Sequence, residues 1–326
     1  MRRPALPGSR TPEWRPTSAA GSPASWPLID RIGYALAWAA GISLCLVAFS
    51  IVAFMGYKGL QFINLDLLFS QPTADIDQSS SGGILDPLIG TILLTIVGVL
   101  IATPLGVATA IWLTEYGRPR PLARAVEAGV EIVAGTPTIV LAIFGLLVFQ
   151  QEIFSFLSFT AEGGGVFGRS FFVAGAIMSL IALPLVVGAT REALYSVPSH
   201  VREASYALGK SRAATIRRVL LPAIRPGIGT GAALGMGRIA GDTAIVILLL
   251  GATLRLEAVG SVPFLSDLKG TGSTLTSYVY LNSPAGEGNA PEKAYAAAFV
   301  LLVIVVGLNF LIERIVRGRG VPAWTR

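Results

Sequence analysis

The sequence has one cysteine, Cys45, and one histidine, His200, in 326 residues. A disulfide within the chain needs two thiols, and a zinc cluster needs several Cys or His ligands, so both are excluded. Charge is scarce as well. Asp, Glu, Lys and Arg make up 13% of the chain, against roughly a quarter in soluble domains, while 53% is hydrophobic and the mean hydropathy is +0.67. The deficit is concentrated in long uncharged runs, which points to an all-α polytopic membrane protein. The net charge is +6 and the isoelectric point is near 9.7. In so apolar a chain, where the basic residues sit matters more than their sum, and nucleic acid is not an expected partner.

The first 30 residues are rich in Pro, Ser and Arg and hold no apolar run, so a disordered basic tail is expected there. The apolar stretch after Arg31 exceeds 20 residues, too long for a signal-peptide core, and reads as a retained anchor. A helix crossing a hydrocarbon core of about 30 Å needs roughly 20 apolar residues. Six segments qualify: Ile32–Tyr57, Pro87–Thr114, Ile132–Gln151, Ser170–Thr190, Ile224–Leu250 and Ala294–Ile312. With the N-terminus in the cytoplasm, 19 of the 25 Lys and Arg fall in inside segments and 5 outside, leaving Arg238 within a span. The positive-inside rule then places both termini in the cytoplasm. The expected organisation is a tail over 1–31, a six-helix transmembrane domain over 32–316 and a second tail over 317–326. The cytoplasmic segment of that domain runs from 191 to 225, and the largest outside loop, Gly251–Glu292, is long enough for a lid or a binding surface.

Gly209-Lys210-Ser211 looks like the end of a phosphate-gripping P-loop. That loop needs an earlier glycine where this chain has Ala204, and a strand before it, because several backbone N–H groups must converge on the phosphates. The preceding residues instead suit a helix: Pro198 fits its first turn, and Glu203, Ala204, Ala207 and Leu208 are good helix formers. Gly209 falls where a left-handed helix end belongs, and Ser211 can cap a following helix. Gly235-x-Gly237-x-x-Ala240 echoes a dinucleotide fingerprint but has no strand before it. Gly227, Gly231 and Gly235, and separately Gly237 and Gly241, recur at the four-residue spacing that lets membrane helices approach closely.

The cytoplasmic segment resembles the signature loop of ABC importer permeases, written E-A-A, three residues, G, nine residues, I-x-L-P. This chain has Glu203-Ala204-Ser205, three residues, Gly209, nine residues and Val219-Leu220-Leu221-Pro222, with Ser205 and Val219 as departures. The resemblance implies the type I importer permease fold. It also implies that this loop forms a coupling helix docking into a separate ATP-binding subunit. Glu203, Ala204, Ser205, Gly209, Leu221 and Pro222 are the expected coupling residues. The alternative is an ordinary basic loop obeying the positive-inside rule.

Two further stretches, Ala134–Phe149 and Leu234–Ala244, are similar to segments of the phosphate-specific (Pst) permeases, and the C-terminal part looks like their A-type subunit. That resemblance implies a non-enzymatic channel subunit of a bacterial cytoplasmic membrane, with no cofactor or metal. Its implied partners are a C-type permease, two ATP-binding subunits, an extracytoplasmic phosphate-binding protein, inorganic phosphate and the lipid bilayer. Asp242 stands where those relatives usually carry Glu, and Gly188 where they often carry Arg, with Arg191 nearby as a possible substitute. A permease for sulfate or molybdate is the alternative within the class. A secondary transporter would show inverted repeats with paired broken helices, and a membrane enzyme a clustered nucleophile, base or metal site; the sequence shows no convincing repeat and no such cluster.

Arg238 and Asp242 are four residues apart, so an unbroken helix would place them on one face, one turn from each other. A charge at mid-bilayer costs about 2.5–3.5 kcal/mol and is tolerated facing a bundle interior or a water-filled path. Two readings stand: a buried ion pair that fixes helix register, or an arginine that contacts a passing anion and an acid that resets it. Thr136 and Thr138, beside Pro137, either line the path or satisfy backbone at a kink.

Overall fold

The computed structural model describes residues 26–73, 82–158, 168–251, 268–284, 286 and 290–317. The tails expected over 1–31 and 317–326 lie almost wholly outside them. The chain divides into two compact units, 1–54 and 55–326.

Helix α1 (Leu28–Leu60) supplies nearly all of the described part of the first unit, and every residue from Trp26 to Phe54 is exposed. It is apolar all round, as a span needs to be when its neighbours are lipid or other helices. Trp26, Tyr34 and Trp38 stack edge to face near its start, with ring centroids 5.6 and 6.2 Å apart. Such aromatic groups favour the boundary between lipid and water.

In the second unit the end of α1 is followed by a short helix α2 (Leu65–Phe69), capped by Asn64, whose side chain accepts from the Leu67 N–H at 2.6 Å. Helix α3 (Leu85–Ile111) widens into a π-helical turn, Trp112–Tyr116, and stops at Gly117, whose φ of +46° ends it in the left-handed region. Then come α4 (Arg120–Gly135), α5 (Thr138–Phe149) and α6 (Phe171–Tyr195). A chain of short pieces follows: α7 (Ser199–Ala207), α8 (Arg212–Thr215), a π turn at Ile216–Leu220 and α9 (Leu221–Ala223). The last helices are α10 (Arg225–Ala240), α11 (Ala244–Leu249), α12 (Leu275–Asn282) and α13 (Pro291–Arg317).

Four of these, Leu28–Leu60, Leu85–Tyr116, Phe171–Tyr195 and Pro291–Ile315, are single helices long and apolar enough to cross a membrane. The other two expected spans are broken. The third is not one helix over Ile132–Gln151: α4 and α5 meet at 109°. Pro137 has no N–H to continue the ladder and pushes Thr136 into extended backbone, with ψ of 131°. Helix α4 begins earlier than expected and carries Arg120, Arg124, Glu127 and Glu131 at spacings that put all four on one side. The twelve residues of α5 rise only about 18 Å. The fifth span, expected over Ile224–Leu250, ends its first helix at Ala240 and restarts at Ala244. It also enters at a 68° bend from the preceding pieces.

Close packing of α6 with α10 is built on glycine. A methyl group at Gly231 would lie 3.0 Å from Val186 Cα and 3.2 Å from Ala189 Cβ, and one at Gly235 would lie 3.1 Å from Ala182 Cβ. Gly227 meets Ala193 in the same way. The expected close approach along Gly227, Gly231 and Gly235 is therefore present. The second glycine pair differs: a methyl at Gly237 would touch nothing within 4 Å, and its helix ends before Gly241. Three apolar clusters fill the second unit. The largest joins α3, α5, α6, α10 and α11 through Leu94, Leu141, Phe171, Met178, Ile239 and Leu249. The second gathers Ile84, Leu275, Tyr278 and Ala297 at one end, and the third gathers Leu194, Val197, Ile216, Leu220 and Ile224 at the other.

Substituting Gly231→Leu forces α6 and α10 apart and is expected to destabilise the chain by about 1–3 kcal/mol or more. Gly237→Leu is expected to leave stability nearly unchanged. Thermal unfolding of the chain in detergent checks the contrast; equal shifts for the two would contradict it.

Candidate functional site

The segment between α6 and α10 forms an arm whose turns follow from its residues. Pro198 ends the α6 exit turn, and its carbonyl accepts from the Val201 N–H at 3.1 Å as α7 starts. Gly209 has φ of +74°, the left-handed conformation expected at the end of α7, and Ser211 caps α8 by accepting from the Ala214 N–H at 3.3 Å. The expected helix–glycine–helix is thus present.

One side of the arm is built inward. The Ser205 and Thr215 hydroxyls, both buried, are 2.9 Å apart and bridge α7 to α8. Ser205, the departure from the signature, therefore has a local partner, and Thr215 also bonds the Ser211 carbonyl at 3.1 Å. Leu221 packs against the apolar cluster of Leu194, Val197, Ile216, Leu220 and Ile224, and Pro222 is half-buried. The other side is open: Glu203, Ala204, Tyr206, Ala207 and Leu208 are exposed, with Leu208 at 79%. The six expected coupling residues thus divide. Glu203 and Ala204 face outward, Gly209 makes the turn, and Ser205, Leu221 and Pro222 serve the packing behind it.

Arg202 was not among the expected residues. Its Nη2 donates to the Leu194 carbonyl and its Nη1 to the Val197 carbonyl, both at 2.8 Å, and its Nε meets Glu115 Oε1 at 3.1 Å. The first two bonds satisfy carbonyls left over at and just beyond the end of α6. The ion pair is well shielded, with side-chain exposures of 22% for Arg202 and 8% for Glu115. Next to Glu115, the Tyr116 ring lies under the Arg212 guanidinium, 5.4 Å from centroid to Cζ. A basic residue beside the signature acid is visible in the sequence, but its partner 87 positions earlier carries no local mark.

In the fifth span, Arg238 and Asp242 do not pair with each other. The helix ends between them, so the one-turn spacing never forms. Asp242 is buried, and its Oδ1 accepts from the Ile245 N–H at 3.0 Å, capping the restart at α11. Its carbonyl accepts from Thr276 Oγ1 at 3.1 Å, and Thr91 Oγ1 accepts from the Leu275 N–H at 2.8 Å. A break inside a membrane exposes backbone groups that lipid cannot satisfy. Here Asp242 and α12 supply partners, so α12, within loop 251–292, packs inward with both polar and apolar side chains. Arg238 is exposed on α10 together with Leu234.

At the bend in the third span, Thr136 Oγ1 donates to the Ile132 carbonyl at 2.7 Å, satisfying backbone at the kink. Thr138 opens α5 and is half-buried. Arg191 is committed elsewhere: Nη2 meets Glu127 Oε1 at 2.8 Å, tying α6 to α4, and donates to the Tyr195 hydroxyl at 3.3 Å. Gly188 opens onto empty space.

Gly209→Ala forces a Cβ into the left-handed region and is expected to destabilise the arm by about 1–2 kcal/mol, with Gly209→Asn costing less. Amide hydrogen exchange over 199–215 checks the order; equal protection in the wild type and the alanine variant would contradict it.

A family model described as "Binding-protein-dependent transport system inner membrane component" matches residues 102–320. The chain is 32% identical over 234 residues to the phosphate transport system permease protein PstA 1 of Mycobacterium tuberculosis, covering 72% of this chain and 70% of that one. It is 28% identical to the phosphate transport system permease protein PstC of Mesorhizobium japonicum, covering 88% and 89%. Among solved structures, a bacterial ABC transporter involved in the import of alginate shares the fold, with TM-score 0.59, 16% identity, and coverage of 88% of this chain and 96% of that one. The family match spans the arm, both broken spans and α13. The chain belongs to the binding-protein-dependent transport system inner membrane components: it is a permease subunit of an ABC importer, a multi-pass membrane protein and not a catalytic one.

Proposed function

We propose that the chain is the A-type permease subunit of a phosphate importer of the bacterial cytoplasmic membrane, with both termini in the cytoplasm. It would form a heterodimer with a C-type permease, receive inorganic phosphate from an extracytoplasmic binding protein, and be driven by two ATP-binding subunits. The open side of α7, with Glu203, Ala204, Tyr206 and Leu208, is the surface offered to an ATPase subunit. The names of relatives at about 30% identity support phosphate as the cargo.

One observation carries the assignment of the path: Arg238 presents an exposed guanidinium within the fifth span and does not pair with Asp242. A bare cation in lipid costs about 2.5–3.5 kcal/mol, so this face of α10 belongs against water or a partner subunit. Phosphate oxygens match the planar fork of guanidinium. The broken helix changes the role of Asp242. It does not neutralise Arg238; it holds open the break beside it by capping α11, which leaves the cation free for the anion. Thr136 keeps the bend in the third span intact, and Thr138 starts the helix beyond it.

Arg238→Gln is expected to lower phosphate uptake at least a hundredfold while the complex still assembles and binds its ATPase. Uptake of radiolabelled phosphate by membranes of equal permease content, with sulfate as competitor, is the measurement. Wild-type uptake in the variant would remove Arg238 from the path, and equal competition by sulfate would remove phosphate as the specific cargo.

A further inference from the structure

The arm is covalently joined to α6 at one end and to α10 at the other, but it has no chain connection to α3. It nevertheless grips the end of α3 twice. Glu115 and Tyr116 are successive residues of the π turn that closes that helix, and each holds an arginine of the arm. Glu115 Oε1 pairs with Arg202 on α7 at 3.1 Å, and the Tyr116 ring lies under Arg212 on α8 at 5.4 Å. The two arginines stand on opposite sides of the Gly209 turn, so the grip spans the arm where it folds back. Ile111, one residue before the π turn, packs on the arm's apolar cluster.

We propose that Glu115 and Tyr116 form a latch through which movement of the arm reaches the second span, Glu115 acting through Arg202 and Tyr116 through Arg212 as positioning residues. The proposal rests on the reading that the arm docks an ATPase. Three features favour a mechanical role. The ion pair is largely shielded from water, so salt and solvent weaken it little. Arg202 stays anchored to the Leu194 and Val197 carbonyls without Glu115, so the arm keeps its attachment to α6 when the latch is opened. Helix α3 carries the glycines that receive α6 and α10: Gly106 lies against Val186, and Gly98 against Ile239. A push on α3 therefore reaches both other helices through tight contacts, and Gly175 of α6 receives Val97 of α3 in the same way. Movement of α3 with the arm makes the three helices one rigid block.

The test uses the whole importer, with its second permease, ATPase subunits and binding protein, in proteoliposomes supplied with inorganic phosphate and ATP. Phosphate imported per ATP hydrolysed is compared for wild type, Glu115→Ala, Arg212→Ala and the double variant. Each single variant is expected to lose about fivefold or more in that ratio, in the range typical of coupling between sites, while the ATPase subunits co-purify as in wild type. An unchanged ratio overturns the latch, and so does loss of ATPase co-purification in both single variants, since the contact would then serve assembly. A wild-type complex that imports no phosphate on ATP strikes the functional reading and takes the latch with it; an active wild type with fully coupled variants strikes the latch alone.

Discussion

The turn from α6 into the arm is fixed chiefly by one guanidinium, beside the Ser196 bonds to Glu192 and Ala193. A helix finishes with carbonyls that lack intrahelical partners and take donors from water or side chains. Arg202 seals this end, taking the Leu194 and Val197 carbonyls together, and its remaining edge is held by Glu115. Bonds from a charged donor are roughly twice as strong as neutral ones, and this pair is mostly out of water. The consequence reaches far along the chain. Helix α7 starts where the sealed turn ends, its inner face is fixed by Ser205 and Thr215, and what remains outward is a small surface of acid, tyrosine and leucine. Helix α6 is also the one against which α3, α4 and α10 pack, so that surface adjoins the body of the bundle.

The same rule about unpaired backbone explains the broken spans. Pro137 and Gly241 interrupt two helices at membrane depth, and each interruption comes with its own partners. Thr136 bonds back to Ile132, Asp242 caps Ile245, and Thr276 reaches the Asp242 carbonyl from α12. Such breaks survive where irregular backbone is buried in protein or lines water. Arg238 sits one turn before the second break, on the open side of α10. An exposed cation and a satisfied break in the same short stretch are the features on which the proposed anion path rests.

Much of this was legible in the residues. The spacing from Glu203 to Pro222 marked the arm, Gly209 and Ser211 marked its turn, and the Gly227–Gly231–Gly235 repeat marked the face of α10 that meets α6. These are local signals, set by backbone conformation and side-chain size. What the sequence hid was of two kinds. The Arg202–Glu115 contact joins residues 87 positions apart, and no local pattern announces a pair at that distance. The fifth span hid its break because apolar residues continue on both sides of Gly241, so composition alone favours one long helix. That continuity produced the expectation of an Arg238–Asp242 pair, which the break dissolves. In the third span the charges of α4 lie before the apolar run, where a helix that starts outside that run looks the same in sequence as a loop that precedes one.

The account depends on a motor that lies outside this polypeptide and works through the arm. It is tested most directly by reconstituting the purified chain in lipid vesicles, alone and together with its companion permease, ATPase subunits and binding protein, and following phosphate accumulation. The account predicts accumulation only in the complete assembly and only with ATP. Accumulation by the solitary chain on an ion gradient would contradict it.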